Sequence, residues 1–145
     1  MIKLSDIYKE IFSKLKAITY TVDGVDYSYN VYDELPQNPK NPHIRVDYSY
    51  NLDRSGNNYE GMTYFQYIHV FSTYNGRKEV LEIVDRVVEA LSEVIETDEF
   101  VAYPYIDKNE IITESANIGG QKTGYNVNET YRHAILVYKY IVYKK

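Results

Sequence analysis

The stretch from Glu60 to Glu96 constrains the fold most, because its hydrophobic period changes once along its length. Through Glu60–Thr73, apolar and aromatic residues occupy both alternating sets of positions, which is the period of a β-strand. After the Tyr74–Gly76 corner, apolar residues recur at helical spacing from Val80 to Val94, with charged residues on the opposite side. The stretch therefore predicts a long strand, a tight corner and an amphipathic helix of about twenty residues laid across a sheet.

A second strand is predicted just before this stretch. His43–Asn51 alternates, with Ile44, Val46, Tyr48 and Tyr50 on its predicted buried side. The residues of Leu52–Tyr59 are those that favour turns, so this strand is expected to form an antiparallel hairpin with Glu60–Thr73.

The C-terminal half is predicted to form further strands. Phe100–Ile106 and Ile111–Asn117 are predicted as two strands around a short turn, and Ile118–Glu129 as a polar loop. Thr130–Tyr143 is predicted as a last strand that carries apolar residues or tyrosine on both sides.

Two local signals mark the N-terminal part. A helix is expected from about Asp6 to Ala17 with Ser5 as its cap, and Asp23-Gly24 favours a small hairpin. Together the elements predict an α+β fold: a single antiparallel sheet with an N-terminal helix and one long central helix packed on one face. We expect one domain that spans residues 1–145.

Composition excludes several classes of function. The net charge is −5, which argues against a surface that binds nucleic acid. The chain has no cysteine, which excludes disulfides and thiol chemistry. The first residues lack the apolar core of a signal peptide, and no apolar run approaches the ~20 residues that span a membrane. A soluble protein made in the cytoplasm, with no membrane partner, is the expectation.

The tyrosine content is the unusual feature: there are 18 tyrosines and no tryptophan. Tyrosine is enriched at interfaces, although it also simply suits β-strands. Two strands are apolar on both sides while only two good helices are predicted, so one sheet face is expected to need cover from another subunit. The sequence therefore predicts a homo-oligomer, with these candidate interface residues on the two strands: Tyr67, His69, Tyr138 and Tyr140.

No enzyme signature is found. His43, His69 and His133 fall on three elements without metal-ligand spacing, so ordinary strand or loop histidines are expected and no metal or cofactor is predicted. Gly119–Gly124 lacks the order of a phosphate loop and is predicted to be a flexible hairpin tip. The carboxylates are scattered over separate segments, which predicts a solvated surface rather than a catalytic pair.

The order of features from Val31 to Leu91 resembles the tail-completion, or head–tail joining, proteins of long-tailed bacteriophages and prophages. The residues that carry the resemblance are the proline-marked entry Val31–Pro36, the strand start Pro42–Val46, the corner His69–Gly76 and the helix-ending pair Ala90-Leu91. The last third matches in layout only. The loops Leu52–Tyr59 and Ile118–Glu129 carry no motif of the family.

The resemblance implies a structural virion protein without catalytic activity. Such a protein forms a ring of itself, expected to be a hexamer, on the end of the tail tube at the head–tail junction. It stops tube growth and joins the tail-tube protein to the head–tail connector protein, with DNA passing through as cargo. Two loops are candidate contact sites with neighbours or the tail tube: Arg54, Asn57 and Asn58 in one, and Gly119, Gly120, Gln121 and Lys122 in the other.

Two alternatives stay open. The first is another connector component, such as a stopper beneath the portal, which would differ in the neighbour that it binds. The second is a small-ligand-binding module with a tyrosine-lined pocket, which would require a deep cavity with converging polar groups.

Overall fold

The computed structural model describes residues 1–74, 76–115 and 130–145, and for residues 110–115 and 130 it describes the backbone alone. Within these ranges, two helices and eight strands follow one another. In order they are α1 (Leu4–Lys16), β1 (Thr19–Val22), β2 (Val25–Ser28), β3 (Asn30–Tyr32), β4 (His43–Asp53), β5 (Gly61–Ser72), α2 (Lys78–Ala90), β6 (Ile95–Glu96), β7 (Phe100–Ser115) and β8 (Thr130–Lys144).

The strands form two sheets. Six of them lie in the order β3-β4-β5-β8-β7-β6, and β1 pairs with β2 in a separate two-stranded sheet. The β4–β5 hairpin is confirmed, and so is the small hairpin at Asp23-Gly24. Both of these turn residues have positive φ, 51° and 78°, which suits the twist of a two-residue hairpin loop.

The predicted architecture, a single antiparallel sheet with a long central helix, is wrong. The chain is mostly strand, and its main sheet is mixed, because β3 runs parallel to β4 through three residue pairs. Helix α2 has 13 residues, the same as α1, and not about twenty. It ends where the Ser92 hydroxyl donates to the carbonyl of Glu89 at 2.8 Å, and the chain then enters β6 at Ile95.

Two smaller predictions also need correction. Helix α1 begins at Leu4 after Lys3, and no side chain caps it, so Ser5 lies inside the first turn. The region predicted as two strands around a turn is one strand, β7, because the extra residue between Ile106 and Lys108 forms a β-bulge rather than a turn.

Both helices cover the same side of the main sheet, here called the helix face. Their buried side chains, such as Ile11 and Ile83, belong to one core cluster with residues of β4, β5, β7 and β8. On β5 and β8 these are the even-numbered residues, including Ile68, Leu136 and Tyr140. In the described ranges no helix is long and apolar enough to cross a membrane.

A second β-bulge, between Val46 and Ser49 of β4, changes which side chains face the core. Ile44 and Val46 are buried on the helix face. Beyond the bulge the alternation is reversed, so that Tyr50 lies opposite Phe65, on the other side of the sheet. The prediction that Tyr48 and Tyr50 share the buried side of Ile44 is therefore wrong, and they are 60% and 37% exposed.

Gln66 holds this bulge in place. Its amide nitrogen donates to the carbonyl of Asp47 at 2.9 Å, and it lies 3.3 Å from the carbonyl of Tyr48 and 3.0 Å from that of Tyr67. Its amide oxygen accepts a hydrogen bond of 2.8 Å from the Tyr64 hydroxyl, and its side chain is fully buried. The carbonyls that the bulge removes from the ladder are satisfied by this one side chain.

Replacing Gln66 with Leu is expected to lower the free energy of unfolding by about 1–3 kcal/mol, because the carbonyls at the bulge and the buried Tyr64 hydroxyl each lose a hydrogen bond. Urea unfolding followed by circular dichroism measures the change. The same substitution at the exposed Gln37 is the control and should change stability by less than about 0.5 kcal/mol. Equal effects at both positions would contradict this account of the bulge.

Two buried tyrosines should respond oppositely to loss of the hydroxyl. The Tyr140 hydroxyl is buried without a hydrogen-bond partner among the described residues, and burial raises its pKa. Tyr140→Phe should leave stability unchanged or raise it by up to about 1 kcal/mol, whereas Tyr64→Phe should cost about 1 kcal/mol. The two midpoints of urea unfolding, compared with that of the wild type, test the difference.

Candidate interface

The sheet side opposite the helices carries a row of large aromatic side chains. Because Phe65 lies opposite both Tyr50 and Lys139, and Lys139 lies opposite Tyr105, these four side chains form one row across four strands. A neighbouring row contains Tyr103 beside Ile141. We call this surface the aromatic face, and define it by Tyr48, Tyr50, Phe65, Tyr67, Tyr103, Tyr105 and Tyr143.

The rings of the aromatic face pack against one another. Tyr50 stacks on Phe65 with centroids 4.5 Å apart, and Tyr48 meets the Tyr67 ring edge-on at 5.5 Å. Tyr103 meets Tyr143 edge-on at 6.4 Å. Such contacts stabilise the rings in fixed orientations and present a preformed apolar surface.

The aromatic face remains open in the single chain. Tyr48, Tyr50, Tyr103, Tyr105 and Tyr143 are exposed large side chains, while Phe65 and Tyr67 are half-buried. Contiguous exposed apolar surface of this kind marks a site of interaction. Lysines also lie on this side of the sheet: the Lys139 ammonium sits 5.7 Å from the centroid of the Tyr105 ring, and Lys108 lies opposite Val137 in the row of Tyr67.

The three histidines meet at one end of this sheet side, although they are far apart in the chain. The register of β5 and β8 brings His69 and His133 into hydrogen-bond contact, with ring centroids 4.8 Å apart. Phe71 stacks on His133 at 4.3 Å and on His43 at 4.9 Å. In the part of the chain that the structure describes, no three His, Cys, Asp or Glu side chains are placed to hold a metal ion.

Charged groups flank this histidine cluster. Asp47 lies 3.3 Å from the His69 Nε2 atom and 3.5 Å from the Arg45 guanidinium. His43 is fully buried, and its Nδ1 atom lies 2.9 Å from the Asn41 amide oxygen. Burial, together with the charge of Arg45, lowers the pKa of His43 from 6.5 to about 4, so it is neutral at pH 7.

The four strand residues predicted for the interface divide between the two sides of the sheet. Tyr67 belongs to the aromatic face, and His69 lies next to it on the same side. Tyr138 and Tyr140 are on the helix face, where they belong to the core and are buried. Burial raises the pKa of Tyr138 to about 12.

The predicted contact loop between β4 and β5 is a compact, exposed turn. Arg54, Asn57 and Asn58 are exposed. The turn is closed by the bond from the Gly56 amide to the Tyr59 carbonyl, 3.0 Å. A side chain at Gly56 would meet the Tyr59 ring at 2.4 Å, so the exposed ring would have to shift to admit it.

The other predicted contact loop, with Gly119, Gly120, Gln121 and Lys122, lies outside the described residues. The aromatic residues of β4 and β7 were missed as interface candidates. The high tyrosine content indicated that they could matter. That they lie on the same side of the sheet depends on the β-bulge of β4, which the sequence did not predict.

Comparison with known proteins identifies the family. The model of the family described as "Tail completion protein gp17" matches residues 9–138. The chain belongs to this family. The match confirms the resemblance that the residues from Val31 to Leu91 suggested.

A solved structure agrees with this assignment at the level of fold. A chain of the structure described as "Virion of native gene transfer agent (GTA) particle" aligns with a TM-score of 0.63 and 16% identity, covering 92% of this chain and 91% of that one. At this identity the likeness shows the fold alone. No curated protein matches the chain. As a member of the tail completion family, the protein has a structural role in a phage tail and is a component of a virion.

His43 should give this tail completion protein an acid-sensitive stability. Its pKa is lowered in the folded state, so the unfolded chain binds a proton that the folded chain does not. The resulting stabilisation is fully present above pH 6.5, is lost as the pH falls through about 4, and amounts to roughly 3 kcal/mol. Measuring the free energy of unfolding at several pH values between about 4 and 6.5 tests this loss of stability.

The matched variant is His43→Phe, which keeps a ring between Tyr32 and Phe71 but has no titrating group. Its unfolding free energy should fall less steeply on acidification than that of the wild type. Parallel curves for the two proteins would show that His43 is not the source.

Proposed function

We propose that this protein forms a hexameric ring on the end of the phage tail tube, where it stops tube growth and joins the tail to the head–tail connector protein. DNA passes through the ring during delivery. The role is structural and requires no catalytic step or cofactor. The observation that carries this proposal is the family match over residues 9–138.

The aromatic face supports self-association. A single chain leaves exposed side chains on β4, β7 and β8 on the side of the main sheet that faces away from its helices. Tyrosine-rich surfaces with few charges have the composition of interface cores. A neighbouring subunit would cover this surface, and the polar turn at Asn57-Asn58 would then lie at the rim, available to the tail tube.

The charge of the chain suits a channel for DNA. The net charge is −5, and a ring of six copies multiplies that charge. Affinity for DNA depends on clustered cations that release counterions, so an acidic ring would not retain a passing duplex. Assembly takes place in the host cytoplasm, and the proposed final location is the head–tail junction of the virion.

Native mass across a wide concentration range is the first test. A hexamer of the 17.0 kDa chain is expected, either alone or once tail-tube protein is added, and electron microscopy should then show rings capping the tubes. A strict monomer that also leaves the tubes uncapped would contradict the proposal. Binding to a portal adaptor but not to tail-tube protein would indicate the stopper role instead.

Truncating the aromatic face should weaken the ring. The double variant Tyr50→Ser, Tyr105→Ser is expected to weaken self-association at least about tenfold, because it removes two exposed rings from the centre of the surface. Tyr74→Ser is the control, since Tyr74 is equally exposed but lies outside the aromatic face. Sedimentation velocity gives both values, and an equal effect of the control would refute this interface.

A further inference from the structure

The hairpin of β1 and β2 stands apart from the main sheet. Its strands pair with each other, and no other described strand pairs with them. All four residues of β2 are exposed, as are three of the four residues of β1. A two-stranded hairpin alone is at best marginally stable in water, so this one depends on contacts made by its side chains.

The hairpin has one polar and one apolar side. The register pairs Tyr20 with Tyr27 and Val22 with Val25 on the same side, while Thr21 and Asp26 lie on the other. On the polar side the Thr21 hydroxyl donates to Asp26 at 2.6 Å. On the apolar side Val22, Val25 and Tyr27 are 48%, 52% and 47% exposed.

The base of the hairpin is fastened to the helix layer. Tyr20 stacks on Tyr29 with centroids 4.5 Å apart, and the Arg86 guanidinium of α2 lies 5.7 Å from the Tyr20 ring. Arg86 also donates to the Tyr29 hydroxyl at 3.0 Å. These contacts hold the base on the helix side of the molecule, whereas the aromatic face is on the other side of the main sheet.

These two places hold eight of the sixteen exposed large apolar side chains among the described residues. The exposed large apolar side chains away from the sheet include Tyr74, Leu81 and Val94, which lie in separate segments of the chain. Isolated exposed apolar residues are normal and need no cover. The apolar side of the hairpin and the aromatic face each need cover, and each belongs to a different layer of the chain.

We propose that the apolar side of the β1–β2 hairpin packs on the aromatic face of the next copy of this chain. This rests on the self-association in the proposed function, and names the two surfaces that make it. A contact between unlike surfaces is head-to-tail, and repetition of it closes a ring when the rotation per subunit fits. One contact then covers both apolar surfaces.

Charge also matches between the two surfaces. The segment from Thr19 to Tyr29 contains two charged residues, Asp23 and Asp26, and both are acidic. Lys139, within the aromatic face, makes no ion pair among the described residues and lies over Tyr105. Asp26 lies on the polar side, so the acidic group that this contact brings towards Lys139 is Asp23, in the hairpin turn.

Cross-linking tests the contact directly, because the chain has no native cysteine. Copies with Val25→Cys are mixed with copies of a different length that carry Tyr105→Cys, and a short bismaleimide is added, with and without tail-tube protein. Mixed dimers are expected. The control is Val25→Cys with Val94→Cys, an exposed position outside both surfaces, which should give none.

Other products overturn the proposal. Dimers of Tyr105→Cys with itself would mean that the aromatic faces pack together, and cross-links from Tyr105→Cys to tail-tube protein would give the face a different occupant. An oligomer without mixed cross-links refutes this contact but leaves the proposed ring intact. A strict monomer that does not cap tubes refutes both.

A double-mutant cycle gives a second measurement on the folded chain. Val25→Ser and Tyr105→Ser should each weaken self-association about fivefold to tenfold. If the two side chains share one contact, the double variant should be little weaker than either single one. Independent effects that multiply would place the two residues in separate contacts and overturn the proposal.

Discussion

The hydrogen bonds of the Gln66 amide support the β-bulge that places Tyr48 and Tyr50 on the aromatic face. They satisfy carbonyls at the β4 bulge, and the bulge reverses the alternation of the strand. Without that reversal, Tyr48 and Tyr50 would lie on the helix face with Val46. A buried polar side chain thus places exposed aromatic ones, and the aromatic face depends on a contact made on the opposite side of the sheet.

Tyrosine serves two purposes in this fold, and the side of the strand decides which. On the helix face, Tyr64, Tyr138 and Tyr140 fill the core, where their rings contribute apolar area and their hydroxyls are costly unless bonded. On the other side, tyrosines lie in contact with one another and with solvent. The strand preference of tyrosine accounts for both groups, whereas the interface interpretation concerns only the tyrosines of the aromatic face and stays a prediction.

Local patterns in the sequence predicted much of the fold, whereas the pairing of strands that are distant in the chain could not be predicted from them. The β4–β5 and Asp23-Gly24 hairpins follow from turn chemistry and alternation within a few residues. The parallel strand β3 has only three residues, and it forms by pairing with β4, which begins more than ten residues later. A segment of three residues is too short to show a hydrophobic period, so the sequence did not predict this strand. The length of α2 was overestimated because Val94 continues the helical spacing past the point where Ser92 ends the helix.

The candidate site was predicted only in part, for a related reason. A strand that is apolar on both sides does not reveal which side its own helices will cover, so Tyr67 and His69 were grouped with Tyr138 and Tyr140. The contact between His69 and His133 depends on the register of strands more than sixty residues apart. The family, by contrast, was recognisable, because its motif is a local sequence of strand, corner and helix.

The edges of the main sheet have a consequence for aggregation. The outermost strands, β3 and β6, have three and two residues, and the longer strands next to them carry bulges and, in β7, Pro104. Such edges are poor templates for a foreign strand. The main sheet therefore gives free copies of the chain little opportunity to join edge to edge into fibrils.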